Sequence, residues 1–213
     1  MNKPVSSPLL TVSDLAIARG ERVLIENLSF EVARGEALVI RGPNGLGKTT
    51  LLRVLSGLQS SVHGASVIDE AGFVYCGHEN ALKSQLSVYE NLAFWQSVYG
   101  SHVPVKEALV ALDLEELWDR PAHYLSAGQK RRAGLARMVI ADKPLWILDE
   151  PTVSLDAASV TLFAQAVRAH LARGGAAVMA THIDLGLEDT RVLDLGVYRA
   201  KSQPQGAFDE AFL

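Results

Sequence analysis

Apolar and polar positions alternate along the first thirty residues. Leu10, Val12, Leu15 and Ile17 form one set, and Val23, Ile25, Leu28, Phe30 and Val32 a second. Period-two alternation predicts half-buried antiparallel strands. Ala37-Leu38-Val39-Ile40 is a continuous apolar run, as expected of a strand buried on both faces. A glycine-rich turn follows, and Lys48 to Ser56 carries leucines at helical spacing. Phe73-Val74-Tyr75-Cys76 reads as another strand. From Val88 to about Ile140 the pattern is mostly helical, broken by Gly100, Pro104 and Pro121. Leu145 to Leu148 is again a buried strand, with a helix from Asp156 to Arg173 after it. Ala176 to Ala180 and Val192 to Leu195 read as closing strands. This alternation around a helical block predicts an α/β protein with a parallel core sheet, an antiparallel N-terminal sheet and a helical subdomain.

Composition narrows the setting. The chain has 213 residues, 48% of them hydrophobic, and a formal net charge of -4. That length suits one domain with a subdomain and buries a core without disulfides. The single cysteine, Cys76, permits neither an internal disulfide nor a cysteine zinc set, which fits a reducing compartment. The mild acidity argues against a free-standing nucleic-acid binder. The N-terminal residues lack an apolar stretch of signal-peptide length, and no run approaches ~18 apolar residues. The expectation is a soluble, cytosolic chain able to dock on something in a membrane.

Three segments carry candidate chemistry. Gly42-Pro43-Asn44-Gly45-Leu46-Gly47-Lys48-Thr49 fits G-x-x-x-x-G-K-[ST], between a strand ending at Ile40 and a helix starting near Lys48. Glycines let successive backbone N–H groups turn inward onto phosphate oxygens, and the helix start adds partial positive charge. Lys48 would reach the β- and γ-phosphates, and the Thr49 hydroxyl would take a Mg²⁺ position. Thr50 belongs to the same candidate nucleotide-binding stretch. The flanking strand and helix disfavour the competing reading of a plain glycine turn.

Leu145-Trp146-Ile147-Leu148-Asp149-Glu150-Pro151 is a hydrophobic strand ending in two carboxylates. Neighbours on a strand point to opposite faces, so the two should differ in role. Asp149 would hold Mg²⁺, directly or through water. Glu150 would polarise the water that attacks the γ-phosphate. Alone, the segment would equally suit a solvated acidic turn before a helix. The third segment is Leu125-Ser126-Ala127-Gly128-Gln129. Ser126 reads as an N-cap, Gly128 permits a close backbone approach, and the helix start can hold a second anion. On local grounds it remains an ordinary capped helix. Lys130-Arg131-Arg132 reads as a solvated helix face.

The order of these motifs, followed by Ser154-Leu155-Asp156 and then Thr181-His182, resembles the nucleotide-binding subunit of ATP-binding cassette (ABC) transporters. The resemblance implies a P-loop NTPase fold, a single ABC ATPase domain over 1–213 with its helical subdomain at about 78–140. It implies ATP and Mg²⁺ as cofactors, and pairing with a second copy. Each ATP would lie between one phosphate loop and Ser126 and Gly128 of the other copy. Asp156 would sit in the loop crossing that interface. His182 would contact the γ-phosphate and hold the attacking water with Glu150. Lys48, Glu150 and His182 would then carry catalysis, and Thr49 and Asp149 the metal.

Two departures stand out. In this family a Gln usually follows the strand before the helical block, touching Mg²⁺ and relaying nucleotide state. Here His78 occupies that place. An aromatic residue usually stacks on adenine, but the corresponding loop, Ala18-Arg19-Gly20-Glu21-Arg22, has none. The guanidinium of Arg19 would stack on the base instead. Gly77-His78 followed by Leu86-Ser87-Val88-Tyr89-Glu90-Asn91-Leu92-Ala93-Phe94-Trp95 is similar to the ATP-binding subunits of haem exporters used in cytochrome c maturation. That resemblance implies integral membrane subunits of a cytochrome c maturation haem complex as partners, and no nucleic acid. It places the chain peripherally on the cytoplasmic face of a bacterial inner membrane. Hydrolysis there would support haem delivery or release of a haem-loaded chaperone.

The segment Ala81 to Trp95 reads as a helix with a core face of Val88, Leu92 and Trp95. Its other face would receive a coupling helix of the membrane partner. Cys76 reads as a small buried hydrophobe, not a haem ligand. Three alternatives remain: an ABC transporter subunit with a non-haem substrate, a soluble non-transport ABC ATPase, and a nucleotide-sensing scaffold. The soluble ATPases generally carry two cassettes or a long coiled-coil insertion, for which this chain has no room. The scaffold is disfavoured because the catalytic positions are filled, apart from the Gln-to-His change.

Overall fold

The two alternating segments pair as an antiparallel hairpin, β1 (Leu10–Arg19) with β2 (Arg22–Val32), Leu10 lying opposite Val32. The structure, a computed structural model, describes residues 7–188 and 190–201. Strand β3 (Ala37–Arg41) leads into α1 (Lys48–Leu55), followed by β4 (His63–Ile68) and β5 (Phe73–Cys76). The helical block holds α2 (Val88–Tyr99), α3 (Val105–Ala111) and α4 (Ala127–Ala141), with two short 3-10 turns between α3 and α4. Then come β6 (Leu145–Asp149), α5 (Ala157–Ala172), β7 (Ala176–Ala180) and β8 (Arg191–Asp194).

The strands form two sheets. A three-stranded antiparallel sheet runs β2-β1-β4, and a five-stranded parallel sheet runs β5-β6-β7-β3-β8. The central strands β3, β6 and β7 are buried on both faces, as their composition requires, whereas the edge strand β8 exposes Arg191, Val192 and Asp194. Leu38, Ile40, Ile147 and Val178 face a core shared with α1 and the antiparallel sheet. Val39, Val74, Trp146, Leu148 and Met179 face a second core formed with α2 to α5. The parallel sheet therefore divides two apolar layers, and its strands all end on one edge.

Local sequence sets the ends of the helical block. Ser87 caps α2 by accepting from the Glu90 amide at 3.1 Å, while the Glu90 carboxylate accepts from the Ser87 amide at 2.7 Å. This reciprocal box satisfies two otherwise unpaired donors. Gly100 ends α2 in a left-handed conformation, φ 60°.

One strand was not anticipated, and the helix expected over Ala81 to Trp95 needs correction: it begins only at Val88, where Ser87 caps it, and its core face differs. Strand β4 was not legible as a strand, because its first residues, His63, Gly64 and Ala65, are all exposed. It is an edge strand held by pairing with β1, so alternation is weak. The core face of α2 holds Val88 and Leu92 as expected, but Asn91 in place of Trp95. The Asn91 side chain donates to the carbonyls of Lys83, Leu86 and Ser87 and accepts from the Lys83 amide. Trp95 is only half-buried. Its indole N–H donates to the Ala81 carbonyl at 3.0 Å, and the Arg137 guanidinium lies 4.6 Å from its ring centre. An amphipathic ring with a polar handle suits that partly wet place.

At the opposite edge of the sheet, His170 of α5 stacks on Trp146, ring centres 4.1 Å apart. Its Nε2 lies 3.1 Å from the Pro144 carbonyl and 3.2 Å from that of Ala176. Carbonyls only accept, so Nε2 carries the proton. Burial pushes the imidazole pKa down to about 4, against the raising effect of those two bonds.

Candidate functional site

The site is built at the C-terminal edge of the parallel sheet, the usual position for ligands in open α/β folds. The loop after β3 turns through Gly42, φ 145°, and Gly47, φ 113°. Gly47 is required twice over. Its backbone is left-handed, and an added Cβ would stand 3.0 Å from Leu24 Cδ1. The β1–β2 hairpin, with Arg19 near its tip, therefore packs directly against the loop. Lys48 opens α1 and is buried, with Nζ donating to the Gly42 carbonyl at 2.8 Å and lying 3.4 Å from that of Pro43. The lysine thus crosses the mouth of its own loop.

The ends of β5, β6 and β7 stand side by side, with Cys76 beside Leu148 and Asp149 beside Ala180. Asp149 is fully buried. Its Oδ1 accepts from the Thr49 hydroxyl at 3.2 Å. Its Oδ2 is buried and makes no hydrogen bond, though His78 Nε2 lies 3.2 Å away outside hydrogen-bond alignment. A hydroxyl and a carboxylate with a free buried oxygen form an oxygen donor pair suited to Mg²⁺. That ion commonly takes one or two protein oxygens and completes its shell from phosphates and water. Among the described residues there is no cluster of three or more His, Cys, Asp and Glu side chains that would hold a metal.

Glu150 follows β6 with φ 46°, and its amide donates to the Ala180 carbonyl at 2.8 Å. The two carboxylates do differ in environment, as expected. The reason is this left-handed residue just past the strand end, not strand alternation. Glu150 Oε1 lies 3.4 Å from His182 Nε2. The Thr152 and Thr181 hydroxyls meet at 3.2 Å below them and tie the turn after β6 to the end of β7. Thr181 Oγ1 also accepts from the Ile183 amide. Cys76 is fully buried, as a small hydrophobe.

The start of α4 borders the same place. Ser126 is its N-cap, in a reciprocal box with Gln129. At Gly128 an added Cβ would stand 3.1 Å from the Ser154 carbonyl, so the glycine admits a close backbone pass. A cavity of about 230 Å³ opens between Ala127, Lys130, Glu150, Ser154 and His78. Among the described residues no hydrogen bond joins Leu125, Ser126, Ala127 or Gly128 to loop 42–49 of the same chain. Asp156 caps α5 by accepting from the Ser159 amide at 2.8 Å. Hydrogen bonds from Ser159 hold its carboxyl below the usual range.

The run Lys130-Arg131-Arg132 is not a solvated face. Arg131 is 3% exposed. Arg132 pairs with Asp113 at 3.0 Å and donates to the Leu112 carbonyl at 2.8 Å. The missed signal was helical spacing. Arg131 falls one turn before Leu135 and two before Met138, on the buried face of α4.

The chain's likeness to known proteins agrees with this geometry. The sequence profile of the ABC transporter family matches residues 25–153. The cytochrome c biogenesis ATP-binding export protein CcmA of Rhodobacter capsulatus is 54% identical over 208 residues, covering 96% of this chain and 97% of that protein. The CcmA protein of Paracoccus denitrificans is also 54% identical, over 96% and 99% of the two chains. In fold, the chain is similar to a putative ABC transporter ATP-binding protein from Pyrococcus furiosus, with a TM-score of 0.80 at 23% identity. That match covers 90% of this chain and 99% of the other. It is also similar to the ATP-binding subunit of another ABC transporter, with a TM-score of 0.79 at 25% identity, over 88% and 85% of the two chains.

Proposed function

The chain belongs to the ABC transporter family, as an ATP-binding protein of the CcmA type, and from that premise we propose that it hydrolyses ATP for a membrane complex that exports or delivers haem during cytochrome c maturation. The observation that carries the chemistry is the convergence of Glu150 and His182 at 3.4 Å beside the Asp149–Thr49 pair. In this reading the whole chain is one ABC ATPase domain, with residues of about 78–140 as its helical subdomain. The loop Gly42 to Thr50 wraps the phosphates, and Lys48 neutralises the β- and γ-phosphates. Arg19, at the end of β1, would stack its guanidinium on the base. Thr49 and Asp149 hold Mg²⁺, which when bound offsets phosphate charge. Glu150 takes the proton of the attacking water, and His182 keeps that water and the γ-phosphate in line.

Among the described residues, Ser126 and Gly128 make no hydrogen bond to their own phosphate loop. This supports a site completed by a second copy, with Leu125 to Gln129 of one chain facing the nucleotide of the other and Asp156 near the interface. His78, beside Asp149, couples the nucleotide to the membrane subunits. No helix among the described residues is long and apolar enough to cross a membrane. In this reading the substrate path belongs to those partners, and this chain is peripheral on the cytoplasmic face of the inner membrane.

The test is a pull-down of the tagged protein from detergent-solubilised membranes, read by mass spectrometry and haem absorbance. Integral membrane cytochrome-maturation subunits with bound haem are expected. Recovery of an unrelated permease without haem would sink the haem assignment and leave the ATPase one.

A further inference from the structure

Arg131 forms no ion pair among the described residues, although its guanidinium is buried. All its donors go to uncharged oxygens. Nε donates to the Pro151 carbonyl at 3.0 Å. Nη1 donates to the Gly77 carbonyl at 2.9 Å, with the His78 carbonyl at 3.4 Å and Asn80 Oδ1 at 3.3 Å. Nη2 donates to the Glu150 carbonyl at 2.9 Å, with that of Asp149 at 3.4 Å. A buried cation is costly unless well satisfied, so packing alone would favour an apolar residue here. The planar fork is what the place uses, since from α4 it reaches two segments at once, the loop after β5 and the end of β6 with the turn that follows. A lysine offers three donors around one point and spans fewer of them.

The tie bears directly on the reacting groups. Glu150 sits in a conformation that non-glycine residues rarely adopt. Three hydrogen bonds hold its backbone: its amide donates to the Ala180 carbonyl, and its carbonyl accepts from Arg131 Nη2 at 2.9 Å and, more loosely, from the Val153 amide at 3.3 Å. The same fork grips the carbonyls of residues 77 and 78 and so sets the imidazole of His78 against Asp149. The cavity beside Glu150 and His78 gives both side chains room to move once the fork is lost. Arg131 rides in the second turn of the helix whose first residues follow Ser126. A shift at the start of α4 is therefore carried to Glu150 and His78 together.

We infer that Arg131 is a positioning residue for hydrolysis, seating Glu150 and His78 according to the position of the α4 start. The inference rests on the ATPase reading above. Its test uses the full chain, purified with the membrane proteins it binds. ATP affinity, KM and kcat are measured for wild type, R131Q and R131K. Misplacing a reacting group by about 1 Å can cost ~100-fold in rate. R131Q is therefore expected to lose about 100-fold in kcat with ATP affinity and KM within about threefold, because the phosphate loop does not touch Arg131. R131K should recover part of that loss. A kcat for R131Q within about threefold of wild type overturns the inference, as does a parallel loss of affinity and rate. If R131Q does not fold, N80A removes the one side-chain acceptor of the fork. N80A should lower kcat several-fold at unchanged affinity, and an unchanged kcat overturns the inference. Absence of turnover in the wild type sinks the ATPase reading too, whereas an active wild type beside an equally active R131Q sinks this one alone.

Discussion

Thr49 and Asp149 stand 100 residues apart in the chain and meet as hydroxyl and carboxylate at 3.2 Å. The contact binds the first turn of α1 to the end of β6 and leaves Asp149 Oδ2 buried without a hydrogen bond. If that pair holds Mg²⁺, T49A and D149N should raise the Mg²⁺ concentration for half-maximal turnover about tenfold or more. Nucleotide binding in the presence of a chelator should stay near wild type. A Mg²⁺ titration decides, and an unmoved midpoint would take both residues out of the metal role.

Glu150→Gln keeps the size of the side chain and removes its basicity. Turnover should fall by about 10² to 10⁴-fold, the usual worth of a positioned base. ATP binding should persist, and gel filtration with ATP should show the paired form accumulating. Phosphate release at the wild-type rate would falsify the base assignment.

The buried imidazole of His170 gives stability a pH dependence. Above about pH 6.5, its unfolded value, the ring is neutral in both states and contributes no slope. Between about 6.5 and 4 the unfolded chain takes up the proton and the folded chain does not, so stability is lost as pH falls. The loss from this group should reach about 2 kcal/mol by pH 5. Urea melts at pH 7.5 and pH 5 measure it. H170Q should start less stable, having lost the Trp146 stack, yet show about 2 kcal/mol less of the pH-dependent loss.

Gly134 lies inside α4, where alanine is ordinarily the better residue by about 1 kcal/mol. Here the order should reverse. A Cβ would stand 2.9 Å from the Asn80 carbonyl oxygen and 3.0 Å from its Cα, both backbone atoms with little freedom. G134A should destabilise by about 1 to 3 kcal/mol, as overpacking does. Denaturant midpoints check the sign, and a stabilised G134A would show that α4 and the Asn80 loop separate easily.

The parts of the fold that read well from sequence are those where local pattern and burial coincide. Ala37–Ile40, Phe73–Cys76 and Leu145–Leu148 are strands because apolar runs of that length fill a parallel sheet covered on both faces. Ser126 was legible as a cap because capping chemistry is local. What stayed hidden depends on distant partners. His63–Ile68 becomes a strand only by pairing with β1. Trp95 leaves the core because its indole finds the Ala81 carbonyl and an Arg137 guanidinium. Arg131 is buried because oxygens from residues 77–80 and 149–151 converge on it, and nothing in Lys-Arg-Arg announces them. The candidate site residues were found by motif. The contacts that orient them were not.

Five of the six oxygens around Arg131 belong to the main chain. Main-chain oxygens keep their place whatever side chain a residue carries. The anchorage is therefore asymmetric in how it tolerates drift. Positions 78 and 151 can change identity over generations, provided the backbone path survives, without loosening it, whereas a Cβ at Gly77 would press on the Tyr75 side chain at 3.1 to 3.2 Å. No neighbour can substitute for the guanidinium if position 131 changes. The histidine at position 78 is thus held by its backbone, and the anchorage makes no demand on its imidazole.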